Sequence, residues 1–318
     1  MSDFIKAETV VRTALGLLER EVALPRLIWR DAQIADARLK KNDTITCRLP
    51  AYVKANSRTL RAGAARTKSK LVERAVDIKL DTDIYIDLPI TDEELTLDIE
   101  DFGTQVLTPV ISGVARGLED ELAATITGAT YEKSVELDLN DLKGTIAEAR
   151  ELLNKANVPA GGRTLLIGSE IDSAMIQVDN LVRLDASGTT DTLREALIGR
   201  VYGFDVVVSN LIAPATAYAF HRTAFAMTAR APIVPAGAPW GATQSFAGFG
   251  IRTVRVFDPD EVEDRFIADS WIGSTPVLDA GEFDASGRFE PYEDPTDPEN
   301  AEADPILVRA VKIADVTP

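Results

Sequence analysis

Apolar positions recur along this chain with two different periods, and the changes of period mark its elements. Phe4, Val11, Leu15, Leu18 and Val22 repeat at three-to-four spacing, which predicts a helix that Pro25 ends. After the turn residues Asn42 and Asp43, the apolar Ile45, Cys47 and Leu49 alternate with Thr44, Thr46 and Arg48 until Pro50, the period of a strand. Alternation resumes at Val76, Ile78 and Leu80 and again at Ile84, Ile86 and Leu88. About 25 residues without core periodicity separate the first two strands, so they describe a long protruding hairpin. Loops of that length without structure of their own are uncommon and tend to be functional.

A second helical stripe follows: Ile99, Phe102, Val106, Val110, Val114, Leu118, Leu122 and Ile126, about 28 residues in all, ended by Gly128. Pro109 either starts this helix with Thr108 as its cap or kinks it one-third of the way along. An element so far above the mean helix length of about 11–12 residues is expected to be a spine of the subunit. Helices and strands then alternate. Leu142, Ile146, Ala149, Leu153 and Ala156 mark a helix with Asn140 as its expected cap, and Gly161–Gly162 turn into a strand at 164–167. Ser169 with Asp172, and Thr192 with Glu195, each form a capping-box pattern, the second opening a helix that stops at Gly199. Strands are expected at 204–208, 218–220 and 224–228, with Pro232, Pro235 and Pro239 in a loop. Residues 251–257 and 265–272 read as a hairpin across Asp258–Pro259–Asp260. From Asp279 onward Pro, Asp and Glu dominate, predicting a tail with little packed structure, with one strand regained within 305–316.

Composition narrows the class. The 318 residues carry a formal charge of −17, 45% hydrophobic and 27% charged residues, one cysteine and one histidine. Those proportions are globular, and the chain is long enough to bury a sizeable core without staples. Cys47 alone forms no intrachain disulfide, which fits a reducing cytosol. The N-terminus lacks the apolar core of a signal peptide, and the most apolar stretch, 206–227, is broken by Ser209, Asn210, Pro214, His221 and Arg222, so no membrane span is expected.

The charge is segregated. Residues 48–79 hold nine basic side chains (Arg48, Lys54, Arg58, Arg61, Arg66, Lys68, Lys70, Arg74 and Lys79) against Glu73 and Asp77, a balance of +7. Asp92, Glu93, Glu94, Asp98, Glu100 and Asp101 then contribute −6, and 279–304 holds ten acids against Arg288, or −9. Such runs are either solvated faces or complementary contacts between copies of the chain. The basic segment carries one aromatic, Tyr52, too few for a base-stacking platform. No phosphate-binding loop, nucleophile elbow or spaced ligand cluster is present, and no cofactor or metal is expected. A lone glycine at the Gly168–Ser169 junction is too little for a nucleotide turn. His221 reads as a neutral structural histidine, and Glu119, Asp120 and Glu121 as a solvated or intersubunit face rather than acid chemistry.

Three segments carry a family resemblance. The first is Asn42 to Pro50 (Asn-Asp-Thr-Ile-Thr-Cys-Arg-Leu-Pro). The second runs from Leu193 to Asn210 and contains Gly199, Arg200, Gly203, Phe204 and Asp205, then a β run ending in Ser209 and Asn210. The third is Phe220, His221 and Arg222 through Met227. Together with the element order, they resemble the major capsid proteins of tailed bacteriophages, of the Hong Kong 97 type, and most closely the podovirus-type coat proteins named after the Salmonella phage coat protein. The resemblance covers roughly residues 5–275 and fades in the acidic tail. Family members often carry an acid where Thr223 stands. In physical terms, Gly199 and Gly203 bracket a helix-to-strand turn that needs positive φ or close backbone approach, and Phe204 starts a buried strand.

The resemblance implies an α+β fold: an N-terminal arm (1–43), an extended β-hairpin loop (44–89), a peripheral domain with the spine helix (90–134), a mixed α/β axial domain (135–240), peripheral return strands (241–278) and the acidic C-terminal tail (279–318). It implies a structural protein, not an enzyme, whose copies form hexamers and pentamers of an icosahedral shell. The shell would enclose double-stranded DNA without reading its sequence, with scaffolding protein and portal as assembly partners, in the virion and, during assembly, the host cytoplasm. The basic loop is then expected to meet acids of a neighbour, with Asp92, Glu93, Glu94, Glu119 and Glu121 as candidates. An encapsulin-type compartment shell and an α/β enzyme with a gating hairpin are the alternatives.

Overall fold

The computed structural model describes residues 23–30, 44–49, 53, 55–60, 68, 74–91, 103–177, 200–246, 249–259, 263–292 and 304–315. The helix expected over 4–22, the one opening at Thr192, and Ile99 and Phe102 of the long stripe lie outside them. In chain order the strands are β1 (Trp29–Arg30), β2 (Thr44–Leu49), β3 (Arg74–Lys79), β4 (Thr82–Ile90), β5 (Ser134–Glu136), β6 (Arg163–Ile167), β7 (Arg200–Val201) and β8 (Phe204–Val208). They continue as β9 (Thr216–His221), β10 (Phe225–Arg230), β11 (Trp240–Phe246), β12 (Phe249–Asp258), β13 (Glu263–Pro276), β14 (Gly281–Phe283), β15 (Phe289–Pro291) and β16 (Ala310–Ala314). The helices are α1 (Thr108–Gly128), α2 (Leu142–Lys155) and α3 (Ser169–Gln177). The chain divides into two compact units: 1–45, 77–128 and 225–275 form the first, and 46–76, 129–224 and 276–318 the second.

The first unit sets α1 beside a sheet of order β1-β10-β13-β12-β11, with β4 pairing β13 as well. The expected hairpin is there: β12 and β13 run antiparallel from the Asp258↔Glu263 pair. β11 was not expected, because Pro239 stands at its door, but Trp240 to Phe246 pair with β12 throughout. Val110, Ile111, Val114, Leu118, Leu122 and Ile126 of α1 are all buried, each worth roughly 1.5–3 kcal/mol relative to exposure. Pro109 does not start the helix with Thr108 as its cap but stands within a continuous helical run, as the second residue of α1. A π-helical turn at Gly103–Leu107 precedes it, since the ring removes one helical donor and crowds the carbonyl four residues back, and a widened turn relieves both. On α1, Gly113 and Gly117 form a notch for β4. A Cβ at the first would collide with Ile86 Cδ1, and at the second would sit 2.6 Å from Ile84 Cγ2.

The second unit is built on a sheet of order β5-β16-β9-β6-β8-β7. β6 and β9 are buried at every position, which requires cover on both faces. Its core gathers Ile146, Ala149 and Leu153 of α2, Ile171 and Met175 of α3, Leu165, Phe204, Ala219, Phe289 and Val311. Two expected caps are displaced. Asp141, not Asn140, caps α2, accepting from Gly144 N at 3.0 Å. At α3, Ser169 is the first helical residue rather than the cap, and Glu170 N–H donates to Pro214 O. A Cβ on Gly168 would run into the Ala213 and Pro214 carbonyl oxygens, so this glycine serves a close chain crossing.

The largest correction is at the C-terminus. Residues 281–291, expected to lie in a tail with little packed structure, instead supply the β14–β15 hairpin, while the one strand expected within 305–316 is present as β16, in the sheet interior, parallel to β5 and antiparallel to β9. The abundance of Pro and Asp hid this. Phe289 is buried among acids, and Leu307, Val308, Ala310, Val311 and Ile313, close together in a stretch without acids, are buried as well.

Candidate intersubunit contact surfaces

The first two strands of the expected hairpin are paired. β2 and β3 form a two-stranded ladder, and Ile45, Cys47 and Ile78 are buried while Thr46, Arg48, Asp77 and Lys79 are exposed or half-buried, the alternation read from sequence. Farther out, Arg58 and Lys68 are exposed and Leu60 is 83% exposed. Arg74 lies on β3. Lys54, Arg61, Arg66, Lys70, Asp92, Glu93 and Glu94 fall outside the described residues. The acids of α1 divide. Glu119 is committed within its own unit, its carboxylate accepting from the backbone N–H groups of Ala23 and Leu24 and capping the 3-10 turn Leu24–Arg26. That turn contains Pro25, which was expected only to end a helix. Glu121 is half-buried one helical face away.

The Arg200–Asn210 segment forms a different turn from the one expected. Val201 and Phe204 pair directly, and the intervening Tyr202 and Gly203 have φ of 47° and 88°. Two consecutive positive-φ residues make a type I′ hairpin between β7 and β8, not a helix-to-strand turn; Gly199 is outside the described residues. Gly203 thus does what a glycine was expected to do, and Tyr202 takes a backbone that side chains disfavour. Arg200 and Asp205 face each other at 3.6 Å, both well exposed. Phe204 is fully buried, and Ser209 receives a bond from Leu211 N–H at 3.2 Å while Asn210 is exposed.

Phe220 is buried in β9 and His221 ends it. Thr223 N–H donates to His221 Nδ1 at 3.3 Å, so that nitrogen carries no proton, and the Thr223 hydroxyl, 2.8 Å away, is its second donor. The ring also bonds the Gly161 backbone, which leaves Nε2–H as the donor. Burial first, then Arg309, Arg222 and Arg163, push the imidazole pKa down, against the Gly161 bond, and keep the ring neutral. Arg222 is exposed, its N–H on Gly162 O.

Around this histidine stand residues that sequence reading missed. Arg309 makes a bidentate pair with Asp279, both bonds 2.8 Å, and also donates to Thr223 Oγ1 at 3.1 Å. Arg163, 2% exposed, donates to Asn154 Oδ1, Val158 O and Pro159 O, and its burial lowers its pKa. Arg309 and Asp279 come from distant segments, so no local spacing announces their pair. In the first unit a ladder of ion pairs crosses the sheet: Arg252 with Asp269, Arg255 with Asp264, and Arg265 with Asp87 and Asp258. Here a signal existed, because equal steps back from the Asp258–Glu263 turn bring Arg252 opposite Asp269. Among the described residues no three His, Cys, Asp or Glu side chains converge to hold a metal ion, and no helix is long and apolar enough to cross a membrane.

Comparison with solved structures places this arrangement. The chain is similar to a structure from Mycobacterium phage Che8 (TM-score 0.58, 18% identity, covering 92% of this chain and 90% of that one). It is similar to the capsid of cyanophage P-SCSP1u (0.57, 11%, 88% and 85%) and to a virus-like particle from Pyrococcus furiosus (0.51, 12%, 96% and 98%). At these identities the likeness is one of fold, the α+β Hong Kong 97-like capsid fold. No curated protein matches the chain. The family described as phage capsid protein matches residues 76–305, which takes in α1, most strands of both sheets, and His221 with Arg163 and Asp279; the chain therefore belongs to the phage capsid protein family and is a structural major capsid protein of the head shell.

Proposed function

We propose that copies of this chain form the hexamers and pentamers of an icosahedral shell around double-stranded DNA, as a podovirus-type member of the family and without catalysis. The observation that carries this reading is the family match joined to an exposed basic hairpin. A segment of +7 whose root is a two-stranded ladder projects Arg48, Arg58 and Lys68 to solvent. A chain of net charge −17 that must pack against copies of itself gains from presenting one segment of opposite sign to its neighbours. Asp92, Glu93, Glu94 and Glu121 are the acids available to receive it, Glu119 being engaged in its own subunit. Exposed pairs contribute about 0–1 kcal/mol each, weak enough singly to let misplaced subunits leave. In this reading the first compact unit serves as the peripheral domain and the sheet of the second as the axial domain. Scaffolding protein and portal are its assembly partners, in the host cytoplasm. The acidic balance suits a wall that encloses DNA without gripping it.

Reversing Arg58, Arg61 and Arg66 to Glu is expected to leave a folded subunit that no longer makes shells by electron microscopy; normal shells from the triple variant would refute the hairpin's role. An encapsulin-type compartment shell, the alternative expected from the sequence, is the second reading. Nucleic acid recovered from purified wild-type shells supports the phage reading, and a packaged protein in its place supports the compartment.

A further inference from the structure

The loop between β10 and β11, residues 231–239, is Ala-Pro-Ile-Val-Pro-Ala-Gly-Ala-Pro: nine residues without one polar side chain, in a chain of which 27% is charged. Surface loops are ordinarily polar, since they meet water along their length. This loop is nonetheless at the surface: Pro235, Ala236, Gly237 and Pro239 are exposed or half-exposed, and Ile233, at 87%, is more exposed than any other large apolar side chain among the described residues. A single exposed isoleucine needs no explanation, but a contiguous uncharged protrusion does.

It is also held rigidly. Thr243 Oγ1 donates to Pro232 O at 2.8 Å, Arg252 Nη1 donates to Ile233 O at 2.8 Å, and Ala238 N–H closes a turn on Pro235 O at 3.1 Å. Arg252 is itself fixed by Asp269, whose side chain is 3% exposed. Three prolines remove further freedom. The carbonyls on either side of the exposed isoleucine are therefore pinned to the sheet, and the apolar tip is presented in one conformation, which lowers the entropy cost of docking.

We propose that loop 231–239 is a self-contact, at which the same loop of neighbouring copies meets around a symmetry axis of the assembly. Charge decides the occupant. Each copy carries −17, so two copies approach most easily where neither presents charge. Close to a rotation axis a residue meets its own equivalents, and any charged side chain there would face its like. Complementary charges, which serve the basic hairpin, are not possible at such a point; an uncharged apolar knob is self-complementary. This inference rests on the shell reading above.

The experiment uses the full-length chain and three variants: Ile233→Glu, Ile233→Lys and Ala236→Cys, the last in a Cys47→Ala background. Thermal unfolding of dispersed subunits checks that each retains the fold. At a self-contact either sign of charge meets its like, so the Glu and Lys variants are both expected to cut the shell yield at least tenfold, and mixing the two is expected to restore it. Under oxidation, shells of the cysteine variant are expected to give a dimer on denaturing gels through same-position disulfides. Tolerance of one sign but not the other, or normal shells from both with no disulfide dimer, overturns the self-contact while wild-type shells still uphold the shell reading. Wild-type chain that forms no shells under any condition overturns both.

Discussion

The two compact units handle buried charge in opposite ways. In the first, three arginines of the sheet face carboxylates on neighbouring strands or at the hairpin end: Arg252 with Asp269, Arg255 with Asp264, Arg265 with Asp87 and Asp258. The pairs follow strand register, so a slip of one residue would set charges against apolar neighbours, and the ladder acts as a register lock. In the second, polar groups converge on one point where loops meet. Arg163 is satisfied by carbonyls and an asparagine with no carboxylate among those bonds, His221 is neutral, and one ion pair, Arg309–Asp279, ties the start of β16 to the segment before β14. The first arrangement keeps a sheet in register. The second fastens the chain end that carries β16.

The comparison breaks most sharply at its two most buried carboxylates. Asp269→Ala leaves Arg252, 18% exposed, without its partner and releases the clamp on Ile233 O; a loss of about 3–5 kcal/mol is expected. Asp279→Ala leaves Arg309 with Thr223 and somewhat more solvent, at 22% exposure, so about 2–3 kcal/mol is expected after allowing for that screening. Urea unfolding of dispersed subunits measures both, and hydrogen exchange shows which sheet opens. Equal losses, or opening of the wrong sheet, would mean that the two networks do not differ as described.

Acid sharpens the contrast, because the second unit holds the chain's histidine and the first has none. The folded pKa of His221 lies below the ordinary value of 6.5 through burial and its arginine neighbours. The unfolded chain therefore binds the extra proton first as pH falls, so the stabilisation from the neutral ring is complete above about 6.5 and is lost as pH drops through the folded value. Opening of the second unit's sheet is expected to rise below that pH, a smaller effect than either carboxylate deletion. His221→Asn, which cannot titrate, is expected to flatten the dependence in that window. An unchanged slope in the variant would assign the acid response to carboxylates instead.

What could be read beforehand differs between the units for a physical reason. The hairpin root, α1 and the β12–β13 pair are elements whose alternation or stripe is unbroken, so periodicity alone locates them, and their register follows from a turn of known place. β11 hides behind Pro239. β14 and β15 hide within an acidic, proline-rich stretch, and β16, whose strand was expected, takes its partners β5 and β9 from far away in sequence. The hub was visible only as His221. Its supporting residues Arg163, Asp279 and Arg309 are ordinary polar residues until the fold brings them together. Chemistry made by tertiary convergence leaves no local period.

The β7–β8 turn provides the smallest effect and a check on how far local geometry governs the second unit. Tyr202 sits at φ 47° and is 38% exposed, ahead of Gly203 at 88°. Asparagine tolerates left-handed backbone far better than tyrosine, and Asn-Gly is the favoured type I′ pair. Tyr202→Asn is therefore expected to stabilise the subunit by roughly 0.5–1 kcal/mol, less whatever the tyrosine ring contributes by its partial burial. The gain would appear as a higher unfolding midpoint with an unchanged slope against urea. If the substitution instead destabilises the subunit, the ring is worth more than the backbone strain it imposes. The tyrosine would then belong with the tertiary contacts that fasten this unit rather than with its turn.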